Sequence, residues 1–483
     1  MKLNELLNGI HVIKSNVNME LEIGAVAYDS RRVTPGGMFV AITGFATDGN
    51  RFIPMALEKG AAVIVTAVEP AENVPFVLVP SDRKALAQIG ANFFDHPARA
   101  MTMVGITGTN GKTSSTLLLK HILETAQGVK VGLIGTMENL IGQEVVPTER
   151  TTPESFELQA LFARMRDAGC SHVVMEVSSH AISLDRVGTV RYDVAAFTNL
   201  TEDHLDFHKT MENYCDAKSE LFHRCGRAVM NCDDPWFARM RTGVTCPVLT
   251  TSANGTAGLY ARDVDMRADG VRFTAVCGER AVEVKLPIPG KFTVNNALTA
   301  LGTALQLGVS LEQAAAVLGT AKGVKGRVEV VPTPGKPYTV LIDYAHTPDG
   351  LENVLSSVRD FCKGRLIAVF GCGGDRDRTK RPIMGRIGVE LADLAVITSD
   401  NPRTEEPAAI IRDILEGTGD AKNLVAVENR IEAIHYAMDI AQKDDIIVLA
   451  GKGHETYQDI GGHKFHLDER EEVAAHLLEM RNC

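Results

Sequence analysis

The glycine-rich segment GITGTNGKTSS, residues 105–115, constrains the fold more than any other part of the sequence. An apolar run leads into glycines, and a helical pattern begins at the Lys-Thr pair. This order predicts a strand, a loop and a helix start, an arrangement in which backbone N–H groups and the helix N-terminus surround phosphate. In such a loop Lys112 reaches the β- and γ-phosphates and Thr113 binds Mg²⁺. The strict pattern requires glycine where Ile106 stands, so the loop is a variant, and a plain strand–helix turn is the alternative.

Short apolar runs alternate with helical patterns along the chain, which predicts an α/β fold with parallel sheets. The predicted strands cover 36–42, 61–66, 101–107, 129–135, 172–178, 193–199, 338–345, 365–371, 391–398 and 445–451. The predicted helices cover 51–60 and 293–308 and a stretch that begins at Thr113, and a hairpin pattern covers 255–289. The blocks predict three α/β domains over 1–97, 98–325 and 326–483.

The composition excludes several broad classes of function. The 483 residues carry a formal net charge of −11, which argues against general binding to nucleic acid or to a membrane surface. The nine cysteines include no C-x-x-C pair, so the sequence indicates neither a zinc site nor a disulfide framework. Neither a signal peptide nor an apolar run of about 18 residues is found, and we expect a cytoplasmic protein without membrane insertion.

Acidic and histidine side chains follow two predicted strands. Glu176 ends an apolar strand, where nucleotide enzymes place a Mg²⁺ ligand; a salt-bridged edge residue is the alternative. The segment TNLTEDHLDFH, 198–208, gives His204 and His208 the spacing of a zinc pair but lacks the H-E-x-x-H context. Mg²⁺–phosphate chemistry fits it better, with a solvated loop as the alternative. Lys218 lies on a predicted amphipathic helix, where the pattern alone indicates an exposed lysine.

The polar segment TSDNPRTEEP, 398–407, directly follows another predicted strand. Ligands bind at the C-terminal ends of strands in open α/β sheets. Pro402 fixes its own φ and favours an extended Asn401, which orients Arg403. Because a guanidinium can bind a carboxylate through two hydrogen bonds, the segment predicts a carboxylate site. A plain loop at a helix start is the alternative.

Seven motifs occur in order along the chain: GITGTNGKT, EVSSHAISLDRV, TNLTEDHLDFH, DAKSELF, GRVE, DYAHTPDGLENVL and GKGHETYQ. Together they resemble the Mur ligases, the ATP-dependent amino-acid ligases of peptidoglycan precursor synthesis, over essentially the whole chain. The resemblance implies a UDP-binding N-terminal domain, a central P-loop ATPase domain with a mostly parallel sheet, and a C-terminal Rossmann-like domain. It implies ATP and Mg²⁺ as cofactors, and we expect a monomer that does not bind nucleic acid.

The resemblance also assigns roles to individual residues of the central domain. The residues that would bind the ATP phosphates are Gly108, Thr109, Asn110, Gly111, Lys112, Thr113 and Ser114. The positions that match nucleotide contacts are Asn296, Arg327 and Asp343. One Mg²⁺ would be bound by Thr113 and Glu176, and a second by His204 and a carbamylated Lys218, in which the cation has become an oxygen-donor anion. Thr293 departs from the family pattern F-N-x-x-N by replacing its first asparagine.

For the nucleotide-sugar, the DSR motif at 29–31 resembles the uridine-side motif, with Ser30 as the contact. The positions that would hold the muramoyl peptide are Thr151, Thr152, Ser178 and Arg186. The sequence departs from the family twice here. Arg150 stands where many relatives have asparagine, and GFATDG, 44–49, replaces a more polar uridine loop.

In the diaminopimelate-adding Mur ligases, the D-N-P-R motif recognises the far carbon of the amino acid, which carries its second amine and its extra carboxylate. The lysine-adding relatives depart from this motif. The resemblance therefore implies addition of meso-diaminopimelate to the D-glutamyl side-chain carboxylate of UDP-N-acetylmuramoyl-L-alanyl-D-glutamate. The residues of this site would be Arg376, Asp400, Asn401, Pro402, Arg403, Gly451 and Glu455. The alternatives are ligation of L-lysine or another diamino acid, a folylpolyglutamate synthetase-like ligase, against which the N-terminal domain argues, and a P-loop ATPase of other function.

Overall fold

The computed structural model describes residues 1–44, 48–70, 73–148, 150–267, 269–323 and 325–482. The chain divides into two compact units. The first consists of Met1–Thr251 and Thr299–Ser310, and the second consists of Ser252–Leu298 and Leu311–Cys483. Within the described ranges, no helix is both long enough and apolar enough to span a membrane.

The N-terminal part of the first unit is a small sheet with helices against it. Its elements are α1 (Leu3–Leu6), β1 (Lys14–Ser15), β2 (Val26–Ala27), β3 (Met38–Ala41), α2 (Ile53–Glu58), β4 (Val63–Thr66), β5 (Phe76–Leu78) and α3 (Asp82–Phe93). The strand order is β1-β5-β4-β3-β2, with β1 antiparallel to β5 and the other pairs parallel. Apolar side chains on both faces bury β3 and β4 completely, as expected for parallel strands covered on both sides.

The rest of the first unit contains the predicted phosphate loop. Its elements are β6 (Thr102–Thr107), α4 (Lys112–Gln127), β7 (Val131–Ile134), β8 (Asn139–Ile141), β9 (Glu144–Val146), α5 (Ser155–Asp167), β10 (His172–Glu176), α6 (Ser179–Ser183), β11 (Tyr192–Phe197), α7 (Leu205–His208), α8 (Met211–Ser219), β12 (Cys225–Asn231), α9 (Phe237–Met240) and β13 (Val248–Ser252). The strands follow the order β13-β12-β11-β6-β10-β7-β8-β9, parallel as far as β7 and antiparallel from β7 to β9.

The position of β6 explains where a ligand can bind. It pairs with β10 on one side and β11 on the other. The chain first runs from β6 to β7 on the β10 side, and later crosses from β10 to β11 on the opposite side. Ligands bind at such a switch point, beyond the carboxyl ends of the strands. The register sets Ile106 opposite Glu176 and Thr107 opposite Phe197, so the loops after these three strands meet at one edge.

The second unit combines an antiparallel meander with a Rossmann-like sheet. Its elements are β14 (Leu259–Arg267), β15 (Gly270–Cys277), β16 (Arg280–Leu286), α10 (Lys291–Gln306, whose C-terminal part belongs to the first unit), α11 (Leu311–Leu318), β17 (Glu329–Val331), β18 (Thr339–Asp343), α12 (Pro348–Arg359), β19 (Leu366–Phe370), α13 (Lys380–Leu391), β20 (Leu394–Ile397), α14 (Pro407–Leu415), β21 (Leu424–Ala426), α15 (Arg430–Ile440), β22 (Ile446–Ala450), β23 (Tyr457–Ile460), β24 (His463–His466) and α16 (Glu469–Asn482). The larger sheet has the order β17-β18-β22-β19-β20-β21 and is parallel except at the β17–β18 pair.

The predicted α/β class with mostly parallel sheets is confirmed, and the predicted strands are present with shorter bounds. One boundary differs more than the others. The strand predicted to begin at residue 391 begins at Leu394, because α13 continues through Leu391 and the N–H of Ala392 still bonds to Gly388 O at 3.1 Å. An apolar run that serves a helix and then a strand cannot be divided by hydrophobicity alone.

Candidate active site

The loop between β6 and α4 is shaped by two glycines. Gly108 (φ 148°) lies so close to the loop after β11 that a Cβ would stand 1.9 Å from Thr198 Oγ1. Gly111 (φ 81°) precedes α4 in a left-handed conformation that favours glycine. The first N–H groups of a helix have no acceptor within the helix, so the start of α4 can donate them to phosphate.

Lys112 folds back over this loop. Its Nζ donates to Gly108 O at 2.8 Å and to Thr109 O at 2.7 Å. The ammonium is thereby held beside the loop backbone, at the place where the sequence pattern predicts the β- and γ-phosphates.

Glu176 connects the loop to two neighbouring segments. Its Oε1 accepts from Thr113 Oγ1 at 2.9 Å and from Thr136 N at 3.0 Å, and its Oε2 accepts from Thr136 Oγ1 at 2.9 Å. Because β10 pairs on both sides and Glu176 is only 1% exposed, the edge-residue interpretation is wrong. Thr113 donates its hydroxyl proton to Glu176, which leaves the oxygen lone pairs free to bind a cation.

Lys218 is the largest correction to the sequence interpretation. It is 1% exposed, so the exposed-lysine interpretation is wrong. Its Nζ donates to Gly108 O at 2.9 Å, the same oxygen that accepts from Lys112, and lies 4.6 Å from the centroid of the Tyr214 ring. Burial, with repulsion from Lys112 second, lowers the pKa of Lys218 well below its ordinary value, which favours a neutral amine.

The two histidines of the TNLTEDHLDFH segment have different surroundings. His204 has a left-handed backbone (φ 54°), and its Nε2 lies 3.4 Å from Asp203 Oδ2. His208 is buried, and its Nε2 pairs with Ser179 Oγ at 2.9 Å. Both imidazoles lie against Tyr214, with ring centroids at 6.2 Å for His204 and 5.0 Å for His208. His204 and Lys218 therefore both lie beside the Tyr214 ring.

A second polar cluster in the first unit surrounds the buried carboxylate of Glu154. Arg186 donates to it at 3.3 Å and also to Thr152 O at 3.2 Å, and Arg83 lies 3.5 Å from the same carboxylate. Thr152 Oγ1 donates to Glu176 O at 2.9 Å and accepts from Ser178 N at 3.2 Å. Thr152, Ser178 and Arg186, predicted to hold one ligand, are thus brought together and joined to the strand that carries Glu176. Thr151 joins them through Thr136, with 3.0 Å between the hydroxyl oxygens.

The DSR motif lies in the N-terminal part of the same unit. Asp29 caps a short 3₁₀ helix by accepting from Arg31 N at 2.9 Å, and Ser30 is buried with its Oγ 3.3 Å from Met55 Sδ. The neighbouring Tyr28 hydroxyl donates to Glu157 on α5. Residues 45–47 of GFATDG, the segment that departs from the family's uridine loop, lie outside the described residues.

The second unit contains a cleft of about 540 Å³ at the carboxyl ends of its parallel strands. It brings together most of the residues that the D-N-P-R prediction selected. Those that line it are Arg376, Asp400, Asn401, Arg403, Gly451 and Glu455. Pro402 is buried behind them. Tyr344, His346 and Lys380 contribute further polar groups to the lining.

A buried network fixes the acidic groups of this cleft. Glu455 Oε2 accepts from Asn401 Nδ2 at 2.9 Å and from Lys452 Nζ at 3.1 Å. Lys452 is fully buried and also donates to Asn401 Oδ1 at 3.2 Å, while Asp400 Oδ1 lies 3.9 Å away. Gly451 (φ 118°) is required because a Cβ would stand 2.7 Å from Asp400 Oδ2. The orientation of these carboxylates is therefore set by the protein.

Arg403 is oriented by more than Pro402. Its backbone is left-handed (φ 50°), its N–H donates to Asp459 O at 3.0 Å, and its NH1 donates to Gly374 O at 2.7 Å. A Cβ at Gly373 would stand 2.9 Å from that NH1. The guanidinium thus lies on the glycine-rich turn after β19, which the DNPR sequence alone does not predict.

Three family models match the chain. "Mur ligase family, catalytic domain" matches residues 22–100, "Mur ligase middle domain" matches 106–304, and "Mur ligase, glutamate ligase domain" matches 326–453. The UDP-N-acetylmuramoyl-L-alanyl-D-glutamate--2,6-diaminopimelate ligase 1 of Clostridium acetobutylicum is 47% identical over 483 residues, which cover 99% of this chain and 100% of that protein.

The chain belongs to the Mur ligase family.

Two further comparisons extend over the full length. The 2,6-diaminopimelate ligase of Clostridium tetani is 46% identical over 487 residues, covering 99% of this Mur ligase and 100% of that protein. A solved structure of a UDP-N-acetylmuramoyl-L-alanyl-D-glutamate--2,6-diaminopimelate ligase matches with a TM-score of 0.77 at 30% identity, covering 100% of this chain and 99% of that chain. The structure of MurF from Acinetobacter baumannii matches with a TM-score of 0.62 at 20% identity. The match covers 99% of this chain and 98% of that chain, and it shows a shared fold.

The nucleotide contacts predicted outside the phosphate loop lie in the second unit of this Mur ligase. Asn296 is buried on α10. Asp343 is buried at the end of β18, where it accepts from Val328 N and Ala345 N, each at 2.8 Å, and burial raises its pKa. The Arg327 guanidinium lies 5.7 Å from the Tyr344 ring centroid, and Tyr344 also packs on His346 at 4.6 Å.

Sequence reasoning missed four residues that organise these Mur ligase sites. They are Thr136, Glu154, Lys452 and Gln458, and the side-chain amide of Gln458 donates to Asp400 O at 2.6 Å. Lys452 lies between two glycines of the GKGHETYQ motif, and this position is the sequence feature that could have pointed to it. Glu154 follows the Thr-Thr-Pro motif, but nothing in the sequence pairs it with Arg83 or Arg186. Such pairings depend on how strands and helices are brought together in the fold.

Proposed function

We propose that this Mur ligase adds meso-2,6-diaminopimelate to UDP-N-acetylmuramoyl-L-alanyl-D-glutamate in an ATP-dependent reaction of peptidoglycan precursor synthesis. The observation that carries the proposal is the 47% identity, over 99% of the chain, to a ligase whose name states these two substrates. The cleft with D-N-P-R supports the same amino acid, since it presents fixed cationic and anionic groups to a substrate that has both.

Amide formation from a carboxylate requires activation, because a carboxylate is a poor electrophile. In the proposed reaction, an oxygen of the D-glutamyl side-chain carboxylate attacks the γ-phosphorus of ATP in line, and the bond to ADP breaks. The resulting acyl phosphate is attacked by an amine of diaminopimelate, which loses a proton as the amide forms and inorganic phosphate leaves. No protein nucleophile is required, so the protein contributes positioning and charge.

The residues proposed to hold the ATP phosphates are those from Gly108 to Ser114. The backbone of the loop and the start of α4 supply N–H donors, and Lys112 supplies a cation beside them. This cation would offset the repulsion between the attacking carboxylate and the γ-phosphate. Asn296, Arg327 and Asp343 are proposed to contact the rest of the nucleotide.

Mg²⁺ prefers oxygen ligands, and Thr113 and Glu176 offer them beside the loop; a carbamate on Lys218 would add another. The hydroxyl of Thr113 and the carboxylate of Glu176 are proposed to hold one ion, and His204 and Lys218 a second. When bound, Mg²⁺ neutralises charge on the phosphates and on the attacking carboxylate. Glu176 is held for this role by three hydrogen bonds, so its oxygens do not need to reorganise when a cation binds.

Lys218 is proposed to carry a carbamate. The neutral amine attacks CO₂, a nitrogen–carbon bond forms and a proton leaves, so the amine becomes an anionic oxygen ligand. Two features of the structure favour this modification. Burial lowers the pKa of Lys218, and its amine shares Gly108 O with the Lys112 ammonium, which would attract the anionic carbamate. A ¹³C NMR carbamate signal in protein equilibrated with ¹³C-bicarbonate, absent in Lys218→Arg, tests it; an unchanged spectrum in the variant would contradict it.

The nucleotide-sugar peptide is proposed to bind in the first unit. The residues proposed for it are Ser30, Thr151, Thr152, Ser178 and Arg186. Arg83 and Arg150 add positive charge near Arg186, where each contributes to lowering its pKa after the larger effect of burial. This concentration of guanidinium groups suits a substrate with a diphosphate and carboxylates. Arg150, which replaces the usual asparagine, is thus compatible with an anionic ligand.

Diaminopimelate is proposed to bind to Arg376, Asp400, Asn401, Pro402, Arg403, Gly451 and Glu455. Its far carboxylate, which lysine lacks, would be bound by Arg403, and Glu455 would accept from the far ammonium. Glu455 already accepts from Asn401 and Lys452, so its carboxylate is positioned before the substrate arrives. We also propose a cytoplasmic monomer with domain boundaries near residues 98 and 326.

The proposal is tested by phosphate release from ATP with purified protein. Release should require both the nucleotide-sugar dipeptide and diaminopimelate, and mass spectrometry should detect the tripeptide product. Release with ATP alone at the same rate would instead indicate a P-loop ATPase of another function.

A further inference from the structure

A histidine–carboxylate cluster lies between the helices α15 and α16. On α15, His435 and Asp439 lie four positions apart in the sequence. On α16, Glu472, His476 and Glu479 follow each other at spacings of four and three. These spacings put the side chains on one face of each helix. None of the five belongs to the proposed ligase site.

The contacts inside this cluster are specific. The two imidazole rings stack with centroids 4.0 Å apart and planes inclined by 7°. His476 Nε2 pairs with Asp439 Oδ1 at 2.8 Å, and His476 Nδ1 lies 3.4 Å from Glu479 Oε2. His435 Nε2 is buried and forms no hydrogen bond with any described residue, and the nearest carboxylate oxygen, that of Glu472, lies 3.9 Å away.

The pairing of His476 with Asp439 decides which nitrogen is available. If Nε2 carries the proton that Asp439 accepts, the lone pair lies on Nδ1, which faces Glu479. A histidine whose other nitrogen donates to a carboxylate is the usual arrangement of a metal ligand. One ligand atom from each of His435, His476 and Glu479 then lies within 4.8 Å of the others.

We propose that His435, His476 and Glu479 form a binding site for a zinc-class divalent transition metal ion. Two imidazoles and one carboxylate are a donor set that zinc accepts, with a fourth position for water or Glu472. Mg²⁺ is disfavoured here, because it prefers oxygen ligands in near-ideal octahedral geometry. This site is independent of the proposed ligase activity.

Zinc binding would link the C-terminal helix α16 to α15. With Zn–N distances of about 2.0–2.1 Å, two ligand nitrogens lie about 3.4 Å apart. The rings must therefore leave their parallel stack, and ligand atoms that now lie within 4.8 Å of one another must approach by up to about 1.4 Å. Since α15 and α16 contribute ligands from separate segments, the ion would cross-link them and stabilise the folded second unit.

The test uses the full chain, stripped of metal with a chelator and kept in excess Mg²⁺, and measures Zn²⁺ binding by competition with a chromophoric indicator. The double variant His435→Asn/His476→Asn should lose one Zn²⁺ per chain. The matched control His463→Asn/His466→Asn changes two exposed histidines of the β23–β24 hairpin and should keep it. Asp439→Asn should bind about 10- to 100-fold more weakly, because it changes only the partner of a ligand.

Two measurements distinguish zinc bound at this site from zinc bound elsewhere on the chain. Co²⁺ in place of Zn²⁺ should give visible bands without a thiolate charge-transfer band, which excludes ligation by cysteine. The melting temperature of the wild type, and not that of the double variant, should rise with Zn²⁺ concentration. Equal Zn²⁺ stoichiometry in the wild type and in the double variant, with both folded by circular dichroism, would overturn the proposal.

Discussion

The loop proposed to bind phosphate in the first unit and the cleft proposed to bind the amino acid in the second differ in how they hold charge. At the phosphate loop, Lys218 and Glu176 are each only 1% exposed, and backbone carbonyls and hydroxyls fix them. In the cleft, Arg376 is exposed and Arg403 is half-buried on a glycine-rich turn, above a buried network that includes Lys452. Groups that perform chemistry common to a family can be built into a core, whereas groups that select one substrate are placed on loops.

This comparison predicts two kinds of variant. Changes at the phosphate loop should reduce ligation of every amino acid by a similar factor. Changes in the cleft should affect the choice of amino acid and leave ATP binding intact.

The largest effect is expected for Lys112→Met. Removing the cation beside the phosphates should lower kcat by about 10²–10³-fold, by analogy with the loss of one group that stabilises developing charge. Steady-state phosphate release with diaminopimelate, and separately with lysine at high concentration, measures it. Lys443→Met, on an exposed loop, is the control. A fall in kcat with only one of the two amino acids would contradict the expected difference between the loop and the cleft.

Arg403→Ala should affect the amino acid alone. Loss of a charge pair of this kind costs about 2–5 kcal/mol, so kcat/KM for diaminopimelate should fall by about 10²-fold or more. The ATP dissociation constant, measured by calorimetry, should remain within about a factor of two. Arg412→Ala on the exposed side of α14 serves as the control. Parallel losses of ATP binding and amino-acid addition would mean that Arg403 has a structural role.

A smaller effect is expected for Glu154→Gln. The substitution keeps the shape but removes the charge that orients Arg83 and Arg186. The KM for the nucleotide-sugar dipeptide should rise by about tenfold, the low end of the effect expected from a charge-assisted hydrogen bond, which is worth about 1.5–3 kcal/mol. The KM for diaminopimelate should stay constant, and an equal change in it would contradict the assignment of Glu154 to the nucleotide-sugar site.

The smallest effect concerns acid stability. Hydrogen bonds from Arg381, with smaller contributions from Asp375 N and Arg378, lower the pKa of Glu405 from 4.5 to about 2. The folded state therefore gains stability from this carboxylate above pH 4.5 and loses it as the pH falls from 4.5 towards 2. Glu405→Gln should flatten the fall in melting temperature over that range. An identical fall in both proteins would contradict the assignment.

Features formed by residues adjacent in the chain could be predicted from the sequence better than contacts between distant segments. The loop from Gly108 to Thr113 was predictable because strand, glycines, lysine and helix follow each other in the chain. The burial of Lys218 was not, because the helix pattern does not show that the residue faces Gly108 O. The orientation of Arg403 depends on its hydrogen bond to the turn at Gly373–Gly374, about 30 residues earlier in the chain. The two segments are close because β19 and β20, which precede them, are paired in the sheet.

The most direct test of the central claim is a competition in one reaction. The wild-type protein receives ATP, UDP-N-acetylmuramoyl-L-alanyl-D-glutamate, and equal concentrations of meso-diaminopimelate and L-lysine, and mass spectrometry counts the two products. A site whose fixed polar groups are left unpaired by lysine should reject it by a factor on the order of 10⁴, so the diaminopimelate product should be essentially the sole one. Comparable or preferential incorporation of lysine would contradict the assignment of Arg403 and Glu455 as the groups that select the amino acid.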